Sequence, residues 1–292
     1  MGKISKYFKE AVARAVNYNQ FHADFLRKLP KEFHPAAKLQ FVPLLSSDER
    51  AVANKIEAFR SQIPKVSDAQ KIASYTSPHS GSFKKDAQGH ALSGEYVESN
   101  VEAHVKTGSP KLKGMLLKRI VEGYGAKRVL ELGTNTGFSG SYFIFVNGVE
   151  LTTIEGSESL CNIADKNMRR ISPKYRIMNN LFDEAIDQLI QENAKFDCVF
   201  IDGQHEKEAT LHYAERVKPL MAANAIYIFD DIYWSDDMNE AWKELVYTKD
   251  FSKAVDLFSV GVCVQEENTS GKTALYDLGD YLPRPNIFRK NW

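Results

Sequence analysis

From residue 128 to residue 247, short apolar runs alternate with amphipathic stretches, and that alternation constrains the fold more than any other feature. The apolar runs are Arg128–Leu132, Val149–Ile154, Tyr175–Met178, Phe196–Asp202 and Ala225–Asp230. Each is followed by a stretch of helical spacing: Gly137–Val146, Ser157–Arg170, Asp183–Gln191, Lys207–Val217 and Asp236–Tyr247. A further helix, Met115–Glu122, precedes them and is closed by Gly123 and Gly125. Strands that are apolar on both faces and joined through helices predict a parallel sheet covered on both sides. Lys253–Phe258 and Val262–Gln265, either side of Ser259-Val-Gly261, predict an antiparallel hairpin at the end. The expected fold class is α/β: a doubly wound, mostly parallel seven-stranded sheet with a terminal hairpin, plus a helical N-terminal extension. That divides the chain into residues 1–109, 110–266 and a tail, 267–292.

The first segment has a different texture. Ile4, Phe8, Ala11, Val12 and Ala15 share one helical face against lysines and arginines, the pattern of a helix packed on its own domain. Ser47-Asp-Glu49 predicts the start of a second helix running to about Gln62 and stopped by Pro64. Ser74–Gly108 reads as a long polar loop. Its Tyr75, Phe83, Tyr96, His79, His90 and His104 are candidates to line a substrate mouth. This loop and the tail Tyr281–Trp292 are expected to shape either an acceptor pocket or a homodimer contact.

Bulk properties narrow the partners. The 292 residues are 43% hydrophobic, and Lys plus Arg and Asp plus Glu each total 38, so the net charge is zero. A duplex-binding protein usually carries a basic excess, because phosphate neutralisation supplies much of its affinity. A small-molecule substrate is therefore expected, with no nucleic acid and no membrane partner. Cys161, Cys198 and Cys263 are widely spaced among apolar neighbours, which fits buried thiols in a reducing compartment. With no apolar signal region at the start, the expected location is the cytoplasm.

In open α/β sheets, ligands bind beyond the carboxyl ends of the strands. The loop after the first strand reads Glu131-Leu-Gly133-Thr134-Asn135-Thr-Gly137. A dinucleotide fingerprint needs glycine at the first, third and sixth positions, and Asn135 and Phe138 occupy two of these. No Gly-Lys-Ser/Thr follows to make a phosphate loop. The second strand ends in Thr153-Ile-Glu155-Gly156, and a carboxylate there can accept both hydroxyls of a ribose. The next two ends read Ile201-Asp202-Gly-Gln-His205 and Phe229-Asp230-Asp231-Ile-Tyr233-Trp234. Three carboxylates gathered at one rim repel one another unless a cation sits among them, and an oxygen set suits Mg²⁺, Mn²⁺ or Ca²⁺.

The pattern acidic-x-Gly-x-x-x-Gly, with Glu155 closing the second strand, resembles class I S-adenosylmethionine-dependent methyltransferases. The resemblance implies that Glu131, Gly133, Thr134, Asn135, Gly137, Glu155, Gly156 and Asp202 surround the cofactor. Asp202 with Asp230-Asp231 is similar to the metal set of the cation-dependent O-methyltransferases, the catechol, caffeoyl-CoA and macrocin types. Where the catechol type has a lysine base, this chain has His205, whose ordinary pKa also suits proton transfer near neutrality. The implied reaction is methyl transfer to a hydroxyl of a small molecule, with His205 and Asp202 catalytic and Tyr233 and Trp234 as a substrate wall. The likeness covers about residues 110–266. Metal-independent methylation of nitrogen or carbon, and non-catalytic cofactor binding, remain as alternatives.

Overall fold

The computed structural model describes residues 24–67, 71–75, 96–248, 250–267 and 271–281. The basic stretch 4–18, His79, Phe83, His90 and the tail after Tyr281 lie outside the described residues. The N-terminal part forms α1 (His34–Phe41) and α2 (Ser47–Ser67), then β1 (Lys71–Tyr75) and β2 (Tyr96–Asn100), which pair antiparallel, then α3 (Val101–Thr107). The expectation of a polar loop over 74–108 is thus corrected: part of it is strand and helix, and Tyr75 and Tyr96 are register partners. Short elements of mixed polarity carry no strong periodicity, which is why they read as loop. The stop at Pro64 is corrected too. The proline falls in the last turn of α2, and the helix ends only at Ser67. At its start, Ser46 Oγ accepts from Glu49 N at 3.1 Å and Glu49 Oε2 accepts from Ser46 N at 2.8 Å, a reciprocal cap.

The remainder alternates as expected: α4 (Lys111–Tyr124), β3 (Arg128–Leu132), α5 (Phe138–Phe143), β4 (Glu150–Glu155), α6 (Glu158–Met168) and β5 (Tyr175–Asn179). Then follow α7 (Phe182–Gln191), β6 (Phe196–Ile201), α8 (Lys207–Arg216), β7 (Met221–Asp230), α9 (Asp236–Tyr247), β8 (Lys253–Asp256), β9 (Val260–Gln265) and β10 (Ala274–Asp277). The main sheet has the order β10-β8-β9-β7-β6-β3-β4-β5, with β9 antiparallel to both neighbours. It has eight strands, not the expected seven. The extra one, β10, is an edge strand whose side chains are at best half-buried, so no apolar run announced it.

Alternating side chains build a core on each face. Val129, Cys198, Phe200, Ile226 and Ile228 pack on one side with Phe33, Ile56 and Ile120 from the N-terminal helices and α4. Leu130, Val199, Ile201, Tyr227 and Phe229 pack on the other with Ile186, Tyr213 and Trp242. Strand order reverses at β3, which lies between β6 and β4. The carboxyl ends of β3, β4, β6 and β7 therefore form one rim beside the switch point.

Candidate active site

The loop after β3 is shaped by backbone conformations few residues accept. Gly133 has φ +104°, and a Cβ there would lie 1.9 Å from the carbonyl oxygen of Asp202. Only glycine lets the β3 and β6 ends approach so closely. Asn135, with φ 48°, holds the left-handed conformation that asparagine tolerates best after glycine. Among the described residues, three of the five non-glycine positive-φ positions (Asn135, Gln204 and Asp231) sit at strand ends of this rim. Such concentration of unusual backbone is typical of sites where geometry is fixed for a ligand.

Glu131 is fully buried under that loop. Its Oε2 accepts from Thr153 Oγ1 at 2.7 Å, and Thr153 Oγ1 lies 2.6 Å from Thr134 Oγ1. Since Thr153 donates its proton to the acid, Thr134 donates to Thr153 and its side chain faces inward. Burial pushes the Glu131 carboxyl up to about 7, although the Ser139 and Thr153 hydroxyls draw it back. Glu155, half-buried at the end of β4, accepts from Asn135 N at 2.9 Å on one oxygen and from Ser157 N at 3.0 Å on the other. Burial raises its carboxyl above the usual range, against the pull of the Ser157, Asn135 and Gly156 amides. Each oxygen keeps lone-pair capacity for a further donor, as a ribose diol requires. Gly137, φ +76°, closes the loop against Ala164, and Gly156 follows Glu155 with its carbonyl held by Asn179 Nδ2 at 3.1 Å.

The β6 and β7 ends meet as expected. His205 Nε2 lies 3.7 Å from Asp202 Oδ1 and 4.0 Å from Asp231 Oδ2. Asp230 is 2% exposed, and its Oδ1 has no partner among the described residues. Asp202, His205 and Asp230 each present a potential ligand atom within 4.8 Å of the others. Burial, and then Asp202 and Asp231, hold Asp230 well above the ordinary carboxylate range. Burial lifts Asp202 to about 6, with Lys113 pulling the other way. Trp234 stands at this mouth, its ring 6.2 Å from that of His205. Tyr233 is tied elsewhere, its hydroxyl donating to Asp256 Oδ2. His104 lies on α3, while Tyr75 and Tyr96 lie on β1 and β2.

One charged group was not expected. Lys113 Nζ, from the first turn of α4, donates to Asp230 Oδ2 at 2.6 Å and Asp231 Oδ1 at 2.8 Å. Burial alone would lower its pKa, but the charges of Asp230, Asp231 and Asp202 more than offset this and hold it above the usual lysine range. Nothing in the sequence around residue 113 distinguishes this lysine from Lys111 or Lys118.

Comparison with known proteins finds likenesses over part of the chain. A family model described as a methyltransferase domain matches residues 130–232. An Arabidopsis thaliana protein provisionally named as a caffeoyl-CoA O-methyltransferase is 24% identical over 129 residues, 43% of this chain and 55% of the relative. The chain thus spans about half the length of that relative. Among solved structures, an O-methyltransferase from Bacillus cereus in complex with SAH is 20% identical with a TM-score of 0.48, over 56% of this chain and 87% of that one. The O-methyltransferase TomG from Streptomyces achromogenes, in complex with SAM, is 18% identical with a TM-score of 0.43, over 52% of this chain and 78% of that one. The matched segment, residues 130–232, holds the glycine loop, Glu155, Asp202, His205, Asp230 and Asp231, and over these residues the chain is similar to a methyltransferase domain.

Proposed function

We propose that the chain transfers a methyl group from S-adenosylmethionine to a hydroxyl of a small-molecule acceptor. The observation that carries this reading is the placement of Glu155 across the Gly133–Gly137 loop from the His205–Asp202–Asp230 rim, all at the carboxyl ends of neighbouring strands. Bound S-adenosylmethionine supplies an electrophilic sulfonium methyl. Glu155 would accept the two ribose hydroxyls, and the glycine loop would receive the methionine part by backbone approach. His205 would take the acceptor's proton onto Nε2 as the acceptor oxygen gains the methyl, with S-adenosylhomocysteine as the other product. The resulting imidazolium lies beside Asp202 and Asp231, which stabilise its charge. Trp234 would cover the acceptor on the solvent side.

The rim also suits a divalent cation. The unpartnered Asp230 Oδ1 is a buried oxygen in want of a donor or a metal, and Mg²⁺, Mn²⁺ or Ca²⁺ all take oxygen ligands. Asp202, Asp230 and Asp231 would hold such an ion, leaving His205 free to act as base. Bound there, it would supply positive charge to the acceptor oxygens.

Calorimetric titration of S-adenosylhomocysteine tests the central reading. Wild type is expected to bind it, and Glu155→Ala to lose roughly 3 kcal/mol, about a hundredfold in affinity. Absence of binding to wild type would remove the proposal.

A further inference from the structure

Lys113 lies outside the matched segment, yet its side chain is only 10% exposed and is committed to the rim. An ammonium has three N–H donors and no acceptor. Two are spent on Asp230 and Asp231, and the third has no acceptor among the described residues. These carboxylates are two of the three groups that a divalent ion on this rim would use. An ion bound to Asp230 Oδ2 and Asp231 Oδ1 sits roughly 2.0–2.6 Å from each oxygen. That volume overlaps the space Nζ fills, and two cations there also repel one another.

We propose that Lys113 is the resident cation of the acidic rim, and that a divalent metal reaches the Asp230–Asp231 pair only by displacing it. Lys113 therefore sets how far the chain depends on metal. A compact, fixed ammonium can itself face the developing negative charge on an acceptor oxygen, which is the task a metal performs elsewhere. The catalytic consequence rests on the methyl-transfer reading; the competition between cations does not.

The test is a Mn²⁺ titration followed by the electron paramagnetic resonance of the free ion, on wild type, Lys113→Met and Lys113→Arg. Wild type and the arginine variant, which keeps the charge, are expected to bind Mn²⁺ weakly. Lys113→Met is expected to bind it tighter by on the order of tenfold or more, and adding Asp231→Asn should remove the gain. Equal affinity in wild type and Lys113→Met, or tighter binding by wild type, overturns the proposal. Lys113→Gln replaces the methionine variant if that one does not melt cooperatively. A parallel titration with S-adenosylhomocysteine keeps the two readings apart, because its failure would sink the methyltransferase assignment and leave the Mn²⁺ comparison readable.

Discussion

Glu131 carries a cost that pH can reveal. Its folded carboxyl holds a proton up to about 7, whereas its ordinary value is 4.5. Below the lower value both states are protonated and burial costs nothing extra. Between the two the folded state binds more protons, so stability falls as pH rises, and above the upper value the loss is complete. Glu131→Gln keeps the shape without the ionisation. Its melting temperature should match wild type near about pH 4 and exceed it near about pH 8, by an increment worth roughly 3 kcal/mol at most. A variant that melts lower than wild type at the higher pH would show that the charged form is needed for the loop. Gly133 is a harsher test of the same region. Gly133→Ala puts a methyl 1.9 Å from the Asp202 backbone and a side chain at φ +104°. The β3 and β6 ends must then separate, and a loss of about 2–4 kcal/mol in denaturant is expected, together with S-adenosylhomocysteine binding. Cofactor affinity that survives this substitution would detach the loop from the cofactor role.

The element that ties the molecule together is α4. One turn of it sends Lys113 to the rim; further along, Arg119 Nε donates to Glu49 Oε1 at 2.9 Å and its Nη2 to Glu49 Oε2 at 2.8 Å. Arg119 also donates to the carbonyls of Pro35 and Leu44, so one guanidinium secures α1, the connector and α2. Its hydrogen bonds hold the Glu49 carboxyl down at about 2 despite burial. Because the folded value is depressed, the stability this pair gives is present above about pH 4.5 and is lost as pH falls towards 2. Arg119→Ala leaves Glu49 with Lys118 at 3.9 Å. A cost of about 3 kcal/mol is expected at neutral pH, shrinking in acid as Glu49 becomes protonated. A variant as stable as wild type at neutral pH would mean that the pair is dispensable. Elements and rim acids were legible in sequence because each depends on local order: a run of apolar residues, then Gly133, Glu155 or Asp202 at its end. Lys113 and Arg119 were not, since their partners lie 117 and 70 residues away and a lysine or arginine on a helix looks the same wherever it points. β10 escaped for another reason: an edge strand buries little, so its sequence need not be apolar.

At the scale of the whole molecule, the N-terminal segment and the sheet share one core. Phe33, Ala37, Ile56 and Val105 belong to the same buried cluster as Val129, Phe200 and Ile228. Arg60 bridges the parts, donating to the carbonyls of Val105, Gly108 and Ser109 while its guanidinium lies 3.6 Å from the centre of the buried Phe138 ring. Phe138 opens the helix that follows the glycine loop, so α2 meets that helix through Arg60. We propose that the described part of residues 24–109 belongs to one folding unit with the main sheet, and is not an appendage to it. Removing them would take Phe33, Ile56 and Val105 out of the cluster they share with Ile120, and a fully buried side chain of that kind is worth roughly 1.5–3 kcal/mol. Intact protein should therefore unfold in one cooperative transition, monitored by tyrosine and tryptophan fluorescence and by far-ultraviolet circular dichroism together. A chain starting at residue 110 should fail to give a cooperative melt or to bind S-adenosylhomocysteine. If that shortened chain melts sharply and still binds, the sheet owes its stability to its own two faces alone, and the N-terminal helices must serve the acceptor instead.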